Sequence, residues 1–278
     1  MEYVKDLETP AVIVDLDIME KNLKHTAELA RNAGVKLRLH CKTHKSIWIA
    51  KKQLEYGAAG ITVAKLSEAE VMVNGGIDDI LVAYPIVGEK KLKRLENLIK
   101  RASIIVCTDS VEVSQGLSDL GVSMGRKIKT YVQVNSGLQR CGREPGEETV
   151  ELVKSIIGLP GIEIIGLITH AGFSYDYVGE DSIRAAAHKE ADALLTTQKM
   201  LEKEGIEIKE ISVGSTPTSK FIGEMSGVTE VRPGAYVFGD DQQLSTGIIS
   251  EYECAMHILT TVVSTPREGS AIADAGLK

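Results

Sequence analysis

The residues best suited to chemistry lie in one basic stretch, Arg38-Leu39-His40-Cys41-Lys42-Thr43-His44-Lys45, at the end of a run that reads as a strand. An amine crowded by other cations and partly desolvated is held below its usual pKa, and only the neutral amine attacks a carbonyl carbon. Lys42 is therefore a candidate Schiff-base lysine, with Arg38, His44 and Lys45 as the cations expected to lower it. The same cluster would serve equally to pair with acidic surface groups, so the lysine does not decide the matter alone.

Three further stretches supply complementary chemistry. Gly214-Ser215-Thr216-Pro217 ends a strand before a short helix, which presents backbone N–H groups and two hydroxyls to an anion, although it also suits an ordinary helix cap. Arg232-Pro233-Gly234-Ala235 in the neighbouring strand would add the amides of Gly234 and Ala235. Asn135-Ser136-Gly137-Leu138-Gln139-Arg140-Cys141-Gly142 is a loop whose glycines let Arg140 turn back, and an arginine fork suits a phenolate or carboxylate as well as a plain surface salt bridge. His170 and Tyr175 follow another strand end and could lie against a flat ring. Lys65, Tyr84 and Asp109 also end strands, without an assignable step.

The elements that must position these residues alternate. Apolar strands are expected at 35–41, 61–64, 80–84, 104–108, 129–135, 162–170, 210–214 and 228–238, separated by amphipathic helices. Ser67-x-x-Glu70 has the form of a capping box opening one of them. Eight mostly apolar strands alternating with helices in 278 residues fit a closed parallel (β/α)8 TIM barrel, whose site lies at the carboxyl ends of its strands. An open doubly wound sheet would alternate similarly.

Composition narrows the partners. A net charge of −7 argues against nucleic acid, and no stretch approaches the roughly 20 apolar residues that span a bilayer. The opening segment Met1 to Asp6 lacks an apolar signal run, and the four cysteines have no metal-like spacing, so reduced thiols and a cytoplasmic location are expected.

The Arg38 to Lys45 stretch resembles the Arg-Pro-His-x-Lys-Thr-His-Lys signature of the D-threonine aldolase and D-serine dehydratase family, with Leu39 in place of the proline. This family is related to alanine racemase among fold-type III pyridoxal-phosphate enzymes. The resemblance extends in order through Gly60 to Glu70, the Gly137 to Gly142 loop, His170-Ala171-Gly172, Gly214 to Thr218 and Val231 to Gly234. It implies pyridoxal 5'-phosphate held by Lys42 as a Schiff base, Arg140 at the cofactor phenolate, and His170 against the ring with Tyr175 beside it. Gly214, Ser215, Thr216, Gly234 and Ala235 are then expected at the phosphate. In the racemase branch an arginine placed like Arg232 faces the pyridine nitrogen, a role not carried over here.

The implied activity is a lyase cleaving a D-β-hydroxy amino acid, with D-threonine to glycine and acetaldehyde as the leading reaction. Dehydration of D-serine or D-threonine and racemisation are alternatives on the same scaffold; racemisation needs a base on each face, and the sequence offers no evident partner to Lys42. A pyridoxal-phosphate carrier without turnover, and a barrel using Lys42 on a phosphorylated sugar, are readings from other classes. The barrel is expected over 1–245, with 10–15 as a strand of a C-terminal β domain. Residues 246–278 would begin that domain, which the resemblance implies would complete a homodimeric site and carry ligands for a divalent metal (Mn, Mg or Zn). No metal ligand is expected within this chain, which resembles a truncated family member.

Overall fold

In the computed structural model, which describes residues 4–276, eight parallel strands close into a barrel in sequence order. They are β2 (Lys36–His40), β3 (Gly60–Val63), β4 (Asp79–Pro85), β5 (Ser103–Thr108), β6 (Ile128–Gln133), β7 (Ile162–Ile168), β8 (Glu210–Val213) and β9 (Glu230–Val231). The register at closure pairs Lys36 with Glu230 and Leu37 with Val231. The expected barrel is thus the fold. Residues 1–3 and 277–278 of the expected ranges lie outside the described residues.

Helices α1 (Leu16–Asn32), α2 (Ile47–Glu55), α3 (Leu66–Asn74), α4 (Glu89–Ile99), α5 (Val111–Ser123), α6 (Glu147–Ile156) and α7 (Glu180–Lys203) wrap the barrel. In α1 the buried residues Met19, Leu23, Ala27 and Ala30 fall on one face by the 3.6-residue period. Asp15 caps that helix by accepting from the amides of Asp17 and Ile18, both at 3.0 Å, and Gly34 follows it at φ 67°, where a Cβ would be strained. Leu81, Ile105, Cys107, Tyr131 and Ile168 form a small cluster of their own, while two larger clusters fill the layer between strands and helices.

Local chemistry departs from the expected boundaries at three places. The capping box at Ser67 does not form: α3 begins at Leu66 after Lys65, and Glu68, not Glu70, accepts from the Ala64 amide at 2.8 Å. Glu70 instead accepts from Arg94 Nε and Nη2, each at 2.7 Å. The last strand, expected to run to Phe238, stops at Val231, because Pro233 has no N–H for the ladder and the chain turns into a 3-10 segment at Ala235–Val237.

Residues 254–264, an apolar and β-branched run in the sequence, likewise do not form one strand. Asp274 accepts from Thr260 Oγ1 at 2.7 Å and from Thr261 N at 2.9 Å, breaking the run into β10 (Met256–Leu259) and β11 (Val262–Arg267). The first pairs antiparallel with β1 (Ala11–Val14) and the second with β12 (Ser270–Ala273).

Barrel closure also brings together buried charge. Arg38 is 6% exposed and donates to Glu230, 1% exposed, at 2.7 Å, and also to Asp79. Burial alone would lower the Arg38 pKa, but the two carboxylates hold it above its ordinary value. Glu230 further accepts from Ser212 Oγ at 2.6 Å.

Removing one partner of such a pair strands the other in a low dielectric. Glu230→Leu and Arg38→Met are each expected to destabilise the fold by about 3–5 kcal/mol. The double variant should cost clearly less than their sum in urea denaturation. Additive small losses would show that the pair does not constrain the barrel.

Candidate active site

At the carboxyl end of the barrel, His40, Lys42, Gln133, Arg140, Thr169, His170, Gly214 and Arg232 line one recess with Ala83 and Ile168. They arrive from five strand ends: His40 and Lys42 from β2, Gln133 and Arg140 from β6, Thr169 and His170 from β7, Gly214 from β8 and Arg232 from β9. Lys42 follows β2 in a tight turn, where His44 N and Lys45 N donate to Cys41 O at 3.2 and 2.8 Å. Lys45 takes a left-handed φ of 50°, uncommon for a residue with a side chain, and this reversal leads the chain towards the Ser46 cap of α2.

The residue Lys42 is exposed at the mouth, yet the protein around its amine, followed by the positive charges of Arg140 and Arg232, lowers its pKa; Glu68 opposes the shift. The cations that matter are therefore not those expected from the sequence. Arg38 faces the opposite end of the barrel, with Lys36, Asp79 and Glu230. Lys45 lies 3.7 Å from Glu68. His44 is pushed down to about 4 by burial, which leaves it neutral.

Two neutral histidines flank the lysine. Burial, then Lys42 and Arg232, pushes His40 well below its usual pKa, while burial and Lys42 push His170 down to about 4. Their bonding assigns opposite tautomers. The Lys42 amide donates to His40 Nδ1 at 3.3 Å, which leaves the hydrogen on Nε2. His170 Nδ1 lies 3.1 Å from the Gly214 carbonyl and donates to it, leaving the Nε2 lone pair free.

Arg140 is carried by a loop that the Asn135 side chain organises. Its Oδ1 accepts from Gly137 N and Gln139 N, both at 3.1 Å, and its Nδ2 donates to Glu144 at 2.6 Å. Gln139 is held at φ 55°, and Asp109 accepts from Gly142 N at 3.2 Å. Arg232 is 6% exposed and donates to Ser212 Oγ at 2.5 Å, to Val213 O at 3.1 Å and to Thr169 O. Burial outweighs Glu230 and Glu190 to lower its pKa.

Across the mouth, Thr216 gathers donors. Its Oγ1 accepts from Gly234 N at 3.2 Å and Ala235 N at 3.0 Å, and its hydroxyl meets Tyr175, whose pKa burial raises. Ser215 caps the short helix α8 (Thr216–Ser219) and lies 2.8 Å from Ser174 Oγ. The Gly214 amide turns away, donating to Glu190 at 2.8 Å. Gly214 sits at φ +123°, and a Cβ there would meet Arg232 N at 2.7 Å, so the strand end lies flat against its neighbour.

These residues fit pyridoxal phosphate on their own chemistry. An amine of lowered pKa meets an aldehyde, two amides and a hydroxyl converge where an anion can replace their mutual contacts, and Gln133 Oε1 is buried without a partner. The sequence reading did not single out His40, Gln133 or Glu190. His40 stood inside the quoted signature, whereas nothing local marks Gln133 or Glu190. Lys65 and Tyr84 line a different recess with Lys91 and Arg94. Among the described residues, no group of three His, Cys, Asp or Glu side chains is arranged to hold a metal, and no helix is long and apolar enough to cross a membrane.

Comparison with known proteins gives the family of the chain. The D-threo-3-hydroxyaspartate dehydratase of Delftia sp. (strain HT23) is 32% identical over 97% of this chain and 72% of its own length. The D-threonine aldolase of an Arthrobacter species is 32% identical over 98% and 72%. The crystal structure of D-threonine aldolase from Filomicrobium marinum superposes with a TM-score of 0.91 at 34% identity, covering 98% of this chain and 74% of that one. Residues 14–242 match the N-terminal domain of alanine racemase, and the chain belongs to this pyridoxal-phosphate family, in the company of the D-threonine aldolases and D-hydroxy amino acid dehydratases.

Proposed function

We propose that this chain holds pyridoxal phosphate through Lys42 and acts as a lyase on a D-configured β-hydroxy amino acid, with D-threonine cleaved to glycine and acetaldehyde. The observation that carries this reading is the convergence of Lys42, Arg140, Arg232, His40 and His170 on one recess, where burial and the two arginines hold the lysine below its usual pKa. The names of the relatives support the substrate class.

Each residue then has a task. Lys42 supplies a neutral amine for covalent attachment. Arg140 binds the phenolate, and Ser215, Thr216, Gly234 and Ala235 bind the phosphate, with Gly214 and Tyr175 shaping the cradle. When bound, the cofactor supplies a sink for electrons released at Cα. His170 packs against the ring, and its Nε2 lone pair can accept a proton at the mouth. The Nε2–H of His40 is a donor beside Lys42.

Dehydration remains the second reading, since the Delftia relative is named a dehydratase. The divalent metal has no donor set among the described residues, and no step is assigned to it. We place the protein in the cytoplasm and read β1 with β10 to β12 as belonging to a second β domain, through which a homodimer would complete the site. Exposed Val12, Ile258 and Val263 on those strands support that reading.

Incubation with pyridoxal phosphate, borohydride reduction and peptide mapping should place the adduct on Lys42, and Lys42→Ala should lose the visible absorbance. An adduct on another lysine defeats the assignment. Release of glycine and acetaldehyde from D-threonine marks the lyase, whereas a keto acid and ammonia mark the dehydratase.

The electrostatics have their own test. Neighbouring positive charge disfavours the ammonium form, so Arg140→Gln should raise the Lys42 pKa and shift its reaction with an amine-reactive label to higher pH. An unchanged pH profile would remove Arg140 from the site.

A further inference from the structure

Glu190 is a carboxylate with no solvent exposure, carried on the inner face of α7. It serves none of the roles assigned above. A buried carboxylate costs several kcal/mol unless donors surround it, and here all three donors are neutral. Oε1 accepts from Gly214 N at 2.8 Å and from Ala171 N at 3.1 Å. Oε2 accepts from Thr218 Oγ1 at 2.9 Å.

The three donors belong to three separate pieces of the site. Ala171 follows His170 at the end of β7. Gly214 opens the anion-binding turn at the end of β8. Thr218 closes the cap of α8, where its hydroxyl accepts from Ser215 N at 3.1 Å and its amide donates to Ser215 Oγ. One side chain from a surrounding helix therefore ties the phosphate cradle to the loop that carries the ring-facing histidine. His170 closes the same circuit by reaching the Gly214 carbonyl.

We infer that Glu190 is a positioning residue, fixing the Gly214–Thr218 turn against the His170 loop so that the phosphate and ring of one cofactor are received at a set separation. This rests on the pyridoxal-phosphate reading above. Its charge is not what the clamp needs. A glutamine would keep a carbonyl oxygen for the Gly214 and Ala171 amides and offer its NH2 to Thr218 Oγ1. Leucine fills the space but leaves both amides without an acceptor.

The test titrates wild type, Glu190→Gln and Glu190→Leu with pyridoxal phosphate and with pyridoxal, which lacks the phosphate. Cofactor circular dichroism and melting temperature without cofactor are recorded alongside. Loss of the clamp should cost Glu190→Leu about tenfold or more in affinity for pyridoxal phosphate, the equivalent of one or two unsatisfied amides. Affinity for pyridoxal should change much less, and Glu190→Gln should restore the preference for the phosphorylated form together with the wild-type dichroic band.

An unchanged ratio of the two affinities in Glu190→Leu overturns the inference, as does a Glu190→Gln variant as impaired as Glu190→Leu. Should Glu190→Leu fail to fold, Glu190→Asp draws the carboxylate back by one methylene while leaving Thr218 and its contacts to Ser215 in place, and it should lower the same ratio; an unchanged ratio there also overturns it. A wild-type chain that binds neither compound defeats the cofactor reading itself, whereas wild-type binding with unaltered variants defeats only the role of Glu190.

Discussion

The structure depends on how the barrel interior accommodates two buried arginines. Arg38 and Arg232 both lie almost wholly out of solvent, at opposite ends of a hydrogen-bonded column that runs Arg38 to Glu230 to Ser212 to Arg232. Two guanidinium groups in a closed barrel would be prohibitive without internal partners. Glu230 is the carboxylate between them, and the Ser212 hydroxyl relays its negative end towards the mouth by donating to Glu230 while accepting from Arg232. The amino end of the barrel thereby sets the conformation of a side chain in the recess at the other end.

Electrostatics at the mouth follow from that arrangement. Arg232 is held by the column and by the Thr169 carbonyl, and it faces Lys42 together with Arg140 without a carboxylate among the residues lining the recess. In a chain of net charge −7, this is a local inversion of sign. Burial first, and this positive field second, push the lysine towards the neutral amine and both histidines towards the neutral ring. On the proposed reading, a site that receives a polyanionic cofactor through an amine needs an attractive field and an uncharged nucleophile together, and the same cations contribute to both.

The barrel was legible in the sequence because parallel strands buried on both faces read as short apolar runs between glycine-stopped helices. Lys42, Arg140, His170 and the Gly214 to Thr216 turn were legible as polar residues that end such runs. The source of the Lys42 shift was not. Arg38 lies four residues away in sequence, but its side chain faces the opposite end of the barrel, whereas Arg232 comes from the last strand and reaches the recess only when the barrel closes. Glu190 was hidden for a related reason, since one acidic residue in an amphipathic helix gives no sign that it points inward. Ser67-x-x-Glu70 misled in the other direction: the motif was present, but Glu68 took the amide of Ala64 while Glu70 paired with Arg94.

The distance between the lysine and the anion donors is a property of the backbone. The amide of His40 donates to the Pro233 carbonyl at 2.8 Å, so the strand carrying Lys42 is bonded directly to the turn that presents Gly234 and Ala235. A Cβ on Gly234 would meet the His40 carbonyl at 3.0 Å and Thr43 Oγ1 at 3.1 Å, closer than packed atoms tolerate without movement. The two halves of the proposed site, the lysine on one side and the Gly234–Ala235 amides on the other, thus touch through main chain, with proline removing the competing ladder donor and glycine permitting the approach. Rotamers of Lys42 tune its reach, but the span it must cover is set by the closure of β9 onto β2, the same register that brings Glu230 to Arg38.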